Sequence, residues 1–166
     1  MRITNMLGRS PLMLSAALIF TVAAPLLAGP PWISIEVPPN PHDPATRGAY
    51  LVVHTYHHAD NVTKGVGGTA EGLVDGKRQT VRLKFDATPR TGTYALKKQW
   101  PSNGTWMLVI SSDFGSKEAA TALVEIAENG EVSSVKVPSR TQDRWTIPRA
   151  VAASEIDAAL RARARG

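Results

Sequence analysis

Apolar and polar residues alternate with a period of two from Ile33 to Val137, and turn-forming residues break the alternation every eight to twelve positions. That spacing belongs to short antiparallel strands of a sandwich or barrel. Ile33, Ile35 and Val37 alternate with Ser34 and Glu36, and Pro38-Pro39-Asn40-Pro41 ends the run, because proline brings no N–H to a ladder. A second strand is expected from about Ala49 to His57, with Leu51 and Val53 on one face and Tyr50, Val52 and His54 on the other. Apolar residues on both faces at its start point to a central strand. Thr69–Val74 and Gln79–Phe85 flank Asp75-Gly76, a dipeptide suited to the two positive φ values of a type I′ hairpin turn. On the returning strand Val81, Leu83 and Phe85 oppose Arg82, Lys84 and Asp86, so one face of this sheet is expected to meet water.

Further on, Thr93–Trp100 and Thr105–Ser111 flank the turn Pro101-Ser102-Asn103-Gly104. Tyr94, Leu96 and Trp100 share one parity and Trp106, Leu108 and Ile110 another, which makes these large side chains the expected centre of the core. Ala120–Ala127 and Val132–Val137 are joined by Asn129-Gly130, expected to form a second hairpin of the type I′ kind. After Pro148 the period becomes helical. Val151, Ile156, Ala159 and Leu160 form a stripe, Ser154 is placed as an N-cap, and Glu155 and Asp157 precede Arg161, Arg163 and Arg165 in the order a helix dipole favours. The stripe alone serves a terminal cap on the strands or a docking segment for a partner. These elements predict an all-β fold, an immunoglobulin-like antiparallel sandwich of about seven or eight strands with a short C-terminal helix; a small closed barrel is the alternative.

The first 28 residues follow a different pattern. Arg2 and Arg9 precede an uncharged apolar run from Leu12 to Leu27, which ends in Pro25-Leu26-Leu27-Ala28 with a small residue at the cleavage position. This is the arrangement of a secretory signal, and it predicts a periplasmic or secreted protein. The uncharged span from Ser10 to Ile35 is long enough for an anchor, but Pro25, Pro30 and Pro31 break a helix at its exit side and favour cleavage. The expected division is a signal over 1–28, a Pro-rich lead-in with the first strand over 29–48, the sandwich body over 49–138 and a C-terminal segment with the helix over 139–166. The chain contains no cysteine, so packing holds it without disulfides and no lipid is attached through a thiol. The leader takes two arginines from the 19 basic residues and none of the 14 acidic ones, and three more arginines crowd the last six positions. The body is therefore near neutral, and nucleic acid is not an expected partner.

Gly92-x-Tyr94 followed by Trp100-Pro101-x-x-Gly104-x-Trp106-x-Leu108-x-Ile110 resembles the closing hairpin of bacterial exported immunoglobulin-like domains of the YtkA/FixH-like and CopC-like type. In such domains a G-x-Y strand meets a G-x-W-x-L strand. The resemblance covers about Gly92 to Ser111, and it implies an immunoglobulin-like fold with a metal-handling or accessory role in copper or haem-copper oxidase biology. It carries over no copper ligands: Gly29 is not a histidine, and Met107 is the one methionine left after the leader.

Among chemistry-bearing residues, His54, His57 and His58 form the densest group, with His42 and Asp43 in an earlier loop. Imidazole and carboxylate suit zinc or copper. On a continuous strand His54 and His58 share a face with Tyr56 but stand about 13 Å apart, so one ion requires the chain to fold back near His57. The plainer account is a solvated strand end. No G-x-S-x-G elbow is present, and Gly65-Val66-Gly67-Gly68 lacks the Gly-Lys-Ser/Thr ending of a phosphate loop, so no enzyme is expected. Tyr56, Trp32 and Trp145 fall outside the core pattern and are the candidates for a binding patch. Asn61-Val62-Thr63 and Asn103-Gly104-Thr105 match the glycosylation pattern, which carries no weight in a bacterium. The expectation is an exported, non-enzymatic binding or accessory module without a cofactor, acting with another envelope protein and touching the membrane only through a retained leader. The alternative is a periplasmic copper or zinc protein that uses the His54–His58 region.

Overall fold

The computed structural model describes residues 31–57, 60–113, 119–142 and 145–165; the expected leader with its expected cleavage position, and His58, lie outside the described residues. Among the described residues there are twelve strands: β1 Trp32–Glu36, β2 Leu51–His57, β3 Asp60–Asn61, β4 Val66–Val74, β5 Lys77–Arg82, β6 Asp86–Ala87, β7 Thr93–Leu96, β8 Thr105–Ser112, β9 Thr121–Ile126, β10 Val132–Lys136, β11 Ser139–Gln142 and β12 Trp145–Pro148. Helix α1, Ala153–Arg163, follows them. Sheet A runs β1-β2-β7-β6, with β3 also on β2, and sheet B runs β10-β9-β8-β4-β5, every pairing antiparallel. The order of sheet A is the A-B-E-D order of an immunoglobulin domain, and β5-β4-β8-β9 supplies its C′-C-F-G partner sheet. This is an immunoglobulin-like antiparallel sandwich.

The strand count exceeds the seven or eight expected. Strands β3 and β6 have two residues each, too short to show a period, and β11 with β12 form a separate hairpin in the stretch assigned to a C-terminal segment. Both turn signatures form hairpins, by different geometries. Asp75 and Gly76 both take positive φ, 48° and 72°, as a type I′ turn requires. At the second hairpin only Gly130 does, at 83°, and its N–H donates to the Ala127 carbonyl at 2.9 Å. That is a type I turn followed by a left-handed glycine, a geometry that tolerates asparagine in the right-handed region.

Between the sheets lie Ile33, Leu51, Val53, Leu96, Leu108, Ile110 and Val124, all essentially inaccessible. The two tryptophans expected at the centre are there: Trp100 is 5% exposed and Trp106 2%. Trp100 packs edge-on to Tyr50 with ring centroids 5.0 Å apart. The Trp106 indole lies over Gly72, its register partner on β4, and its N–H donates to the Asn103 carbonyl at 2.7 Å. Each buried indole contributes on the order of 3–5 kcal/mol relative to alanine.

The alternate residues of β8 and β9, Met107, Val109 and Leu123, turn away from this core and receive α1 through Ile156 and Leu160. The helical stripe therefore docks on the outer face of sheet B. Ser154 is not the N-cap; Ala152 occupies that position, and the missing hydroxyl is offset by Glu155, whose carboxylate accepts from the Ala152 N–H at 3.1 Å. Arg78 reaches from β5 to Asp157 on the helix at 3.1 Å and to the largely buried Glu71 at 3.2 Å. The Glu71 carboxylate also accepts from the hydroxyls of Thr69 and Thr80, so this charge under the helix is well partnered.

Candidate functional site

Because side chains alternate along a strand, burying Ile33 and Ile35 of β1 and Leu51 and Val53 of β2 sends Trp32, Ser34, Glu36, Val52, His54 and Tyr56 to the outer face of sheet A. The antiparallel register then sets Trp32 opposite Tyr56, Ser34 opposite His54 and Glu36 opposite Val52. From the other side β7 places Thr93 opposite His54. His54 is therefore the hub of the face. Its Nε2 lies 2.9 Å from Glu36 Oε2, its Nδ1 lies 3.5 Å from Thr93 Oγ1, and its ring stands 6.5 Å from that of Tyr56. The Ser34 hydroxyl donates to the Tyr56 phenol oxygen at 3.5 Å.

The Pro-rich loop after β1 forms one border of this face. Asn40 turns its N–H back onto Glu36 Oε1 at 2.9 Å. Asp43 caps the short 3-10 turn Pro44–Thr46 through the Ala45 N–H and pairs with Arg90, which precedes β7. Thr46 is buried, and so is Val52 on the outward side of β2, while Trp32, Ser34, Glu36, His54 and Tyr56 all keep partial contact with solvent.

The hydrogen bond from His54 is the largest influence on Glu36 and holds its carboxyl below the usual range, helped by the Asn40 N–H. The Asp43 carboxyl is lowered first by the Ala45 N–H. An ionised Glu36 only accepts, so His54 Nε2 carries the proton of this contact, and Nδ1 faces the buried Thr93 hydroxyl. A metal ion taking Nε2 has to displace that proton and share Glu36; the two side chains are about one-fifth and one-third exposed.

Of the residues singled out in the sequence, Trp32, Tyr56 and His54 come together on one face. His57 has the opposite parity on β2 and pairs in register with Asp60, so the chain does fold back there, and His58 lies in the part not described. Trp145 belongs to the separate hairpin, opposite Gln142, and its side chain is outside the described residues. Among the described residues no three His, Cys, Asp or Glu side chains converge as a metal group. Sequence reasoning missed Glu36 and Thr93 as partners of His54. The alternation already placed Glu36 opposite in parity to Ile35, but the register that brings it to His54 depends on how far β1 slides along β2.

Shallow recesses lie elsewhere among the described residues. One of about 190 Å³ sits between the β4–β5 turn and α1, beside Arg78, Asp157 and Arg161, and one of about 180 Å³ sits beside Thr63, Arg90 and Tyr94. Both are smaller than the usual small-molecule pocket, and neither is lined by histidine. No described helix is long and apolar enough to cross a membrane. Compared with models of protein families, with curated proteins and with solved structures, the chain matches none.

Proposed function

We propose that this chain is an exported, non-enzymatic immunoglobulin-like module that binds another protein of the cell envelope through the outer face of sheet A. The observation that carries the reading is the asymmetry of the two outer faces. Sheet B has its outward apolar residues covered by α1, whereas sheet A presents the Trp32–Tyr56 pair next to the His54–Glu36 pair in partial contact with water. Aromatic side chains beside a few oriented polar groups are the usual anchors of a protein interface. The apolar N-terminal run, cut after Ala28, and the likeness of the Trp100–Trp106 hairpin to YtkA/FixH-like and CopC-like domains support export and an accessory role.

A photo-crosslinking residue placed at Tyr56, with one at Val135 on the opposite sheet as control, tests this in intact envelopes. A discrete adduct at position 56 that Trp32→Ala abolishes, and that position 135 does not give, is the expected result; equal labelling at both positions, or none at either, refutes it. A second reading, a copper or zinc protein, is favoured by one observation, the approach of His54 Nε2 to Glu36 Oε2. Titration of the leaderless protein with each metal alone decides it: binding tighter than about micromolar that both His54→Ala and Glu36→Gln weaken supports this reading, and weaker binding indifferent to both rejects it.

A further inference from the structure

Asn103-Gly104 and Asn129-Gly130 are the same dipeptide in two exposed turns, yet the fold restrains them in opposite ways. At the second, Asn129 donates its amide to Glu131 Oε2 at 2.9 Å and accepts the Glu131 N–H at 3.0 Å. Gly130 is tied on both sides: its N–H donates to Ala127 and its carbonyl accepts from the Tyr50 hydroxyl at 2.7 Å. At the first, among the described residues, neither the Asn103 carboxamide nor the Gly104 N–H has a hydrogen-bond partner; the turn is held by the Asn103 main-chain carbonyl under Trp106 and by the close approach of Gly104 to Leu73 and Val74, neither of which engages the two reacting groups.

We propose that Asn103 is a site of spontaneous, water-driven conversion to aspartate and isoaspartate, and that Asn129 is protected from it by the fold. The Gly104 amide nitrogen loses its proton to solvent base and bonds to the side-chain carbonyl carbon of Asn103. Collapse of the adduct breaks the bond to the carboxamide nitrogen, which leaves as ammonia, and a five-membered imide remains. Water then opens the imide at one of its two carbonyls, and the net change is the loss of ammonia and the gain of water. Glycine favours the step because no Cβ shields its nitrogen. At Asn129 the attack first has to break the Gly130 N–H bond and the bonds to Glu131, which together slow it at least about tenfold. The isoaspartate product routes the main chain through the former side-chain carbonyl carbon and turns the carbonyl that accepts from Trp106 into a branch carboxylate, so modification of this exposed turn reaches the core.

The test is peptide mass mapping of the leaderless protein held in mildly alkaline buffer, folded and in concentrated urea. In the folded protein the Asn103 peptide is expected to gain one mass unit at least about tenfold faster than the Asn129 peptide, and in urea the two rates are expected to converge. Equal or faster change at Asn129 in the folded protein overturns the proposal. So does a ratio that persists in urea, since the difference then comes from the neighbouring sequence.

Discussion

Gly72→Ala probes the contact on which the sandwich interior turns. A Cβ built at Gly72 lies 2.6 Å from Cε3 and Cζ3 of Trp106 and 2.7 Å from Cδ2, whereas carbon atoms rest at about 3.5–4 Å. The ring must retreat by about 1 Å, yet it is 2% exposed and its N–H is held by Asn103. Overpacking of this kind costs about 1–3 kcal/mol, and straining the indole hydrogen bond adds about 0.5–1.5 kcal/mol. Replacing glycine stiffens the unfolded chain and returns about 0.4–1 kcal/mol, so a net loss of about 2 kcal/mol is expected. Urea unfolding of residues 29–166, followed by circular dichroism, should show a midpoint lowered by about 1 M at an unchanged slope near 2 kcal/mol/M. In a Trp106→Leu background the same substitution should become nearly neutral, a coupling well above the roughly 0.5 kcal/mol expected of independent sites. An equal penalty in both backgrounds, or none in the native one, refutes the account of this contact.

Leu160→Ala, which empties a site 1% exposed between α1 and Met107, should cost about 2–5 kcal/mol of helix docking. Hydrogen exchange should then rise across 153–163 with the β4–β8 ladder unaffected, because a helix of this length is not stable once undocked; uniform loss of protection would place the helix in one cooperative unit with the sandwich. The start of α1 should also sense acid. The Arg149 hydrogen bonds, and after them the Ala152 N–H, hold the Glu155 carboxyl down to about 2 from 4.5. A depressed carboxyl stabilises above its unfolded value and stops doing so as pH falls through the folded one, so amide protection at 152–156 should fade between pH 4.5 and about 2. Arg149→Ala should narrow that window, and an identical acid profile in the variant would contradict the assignment.

Where the sequence analysis was right, neighbours along the chain were enough. Alternation marked β2 and β8 to within a residue or two, Asp75-Gly76 marked its turn, and Trp106 revealed its burial by parity; Trp100 is buried too, but the strand expected over Thr93–Trp100 ends at Leu96, and Trp100 is held beyond it against Tyr50. It fell short where one segment had to know about a distant one. Two-residue β3 and β6 exist only because β2 and β7 offer them free edges, and the helix start moved from Ser154 to Ala152 because Glu155 and Arg149 fasten it there. The candidate site divides the same way. Trp32, His54 and Tyr56 were visible as residues outside the core pattern, while Glu36 and Thr93 became partners of His54 only through cross-strand register.

Local order alone therefore determined that this chain makes an all-β sandwich with a terminal helix, because strand period, turn dipeptides and helical stripe are properties of a few consecutive residues. Only the folded molecule decided which outer face the helix covers and which is left with an aromatic pair beside a histidine and a glutamate. That choice rests on contacts between segments eighteen or more residues apart, such as His54 with Glu36 and Arg163 with Glu125, whose geometry no local pattern encodes.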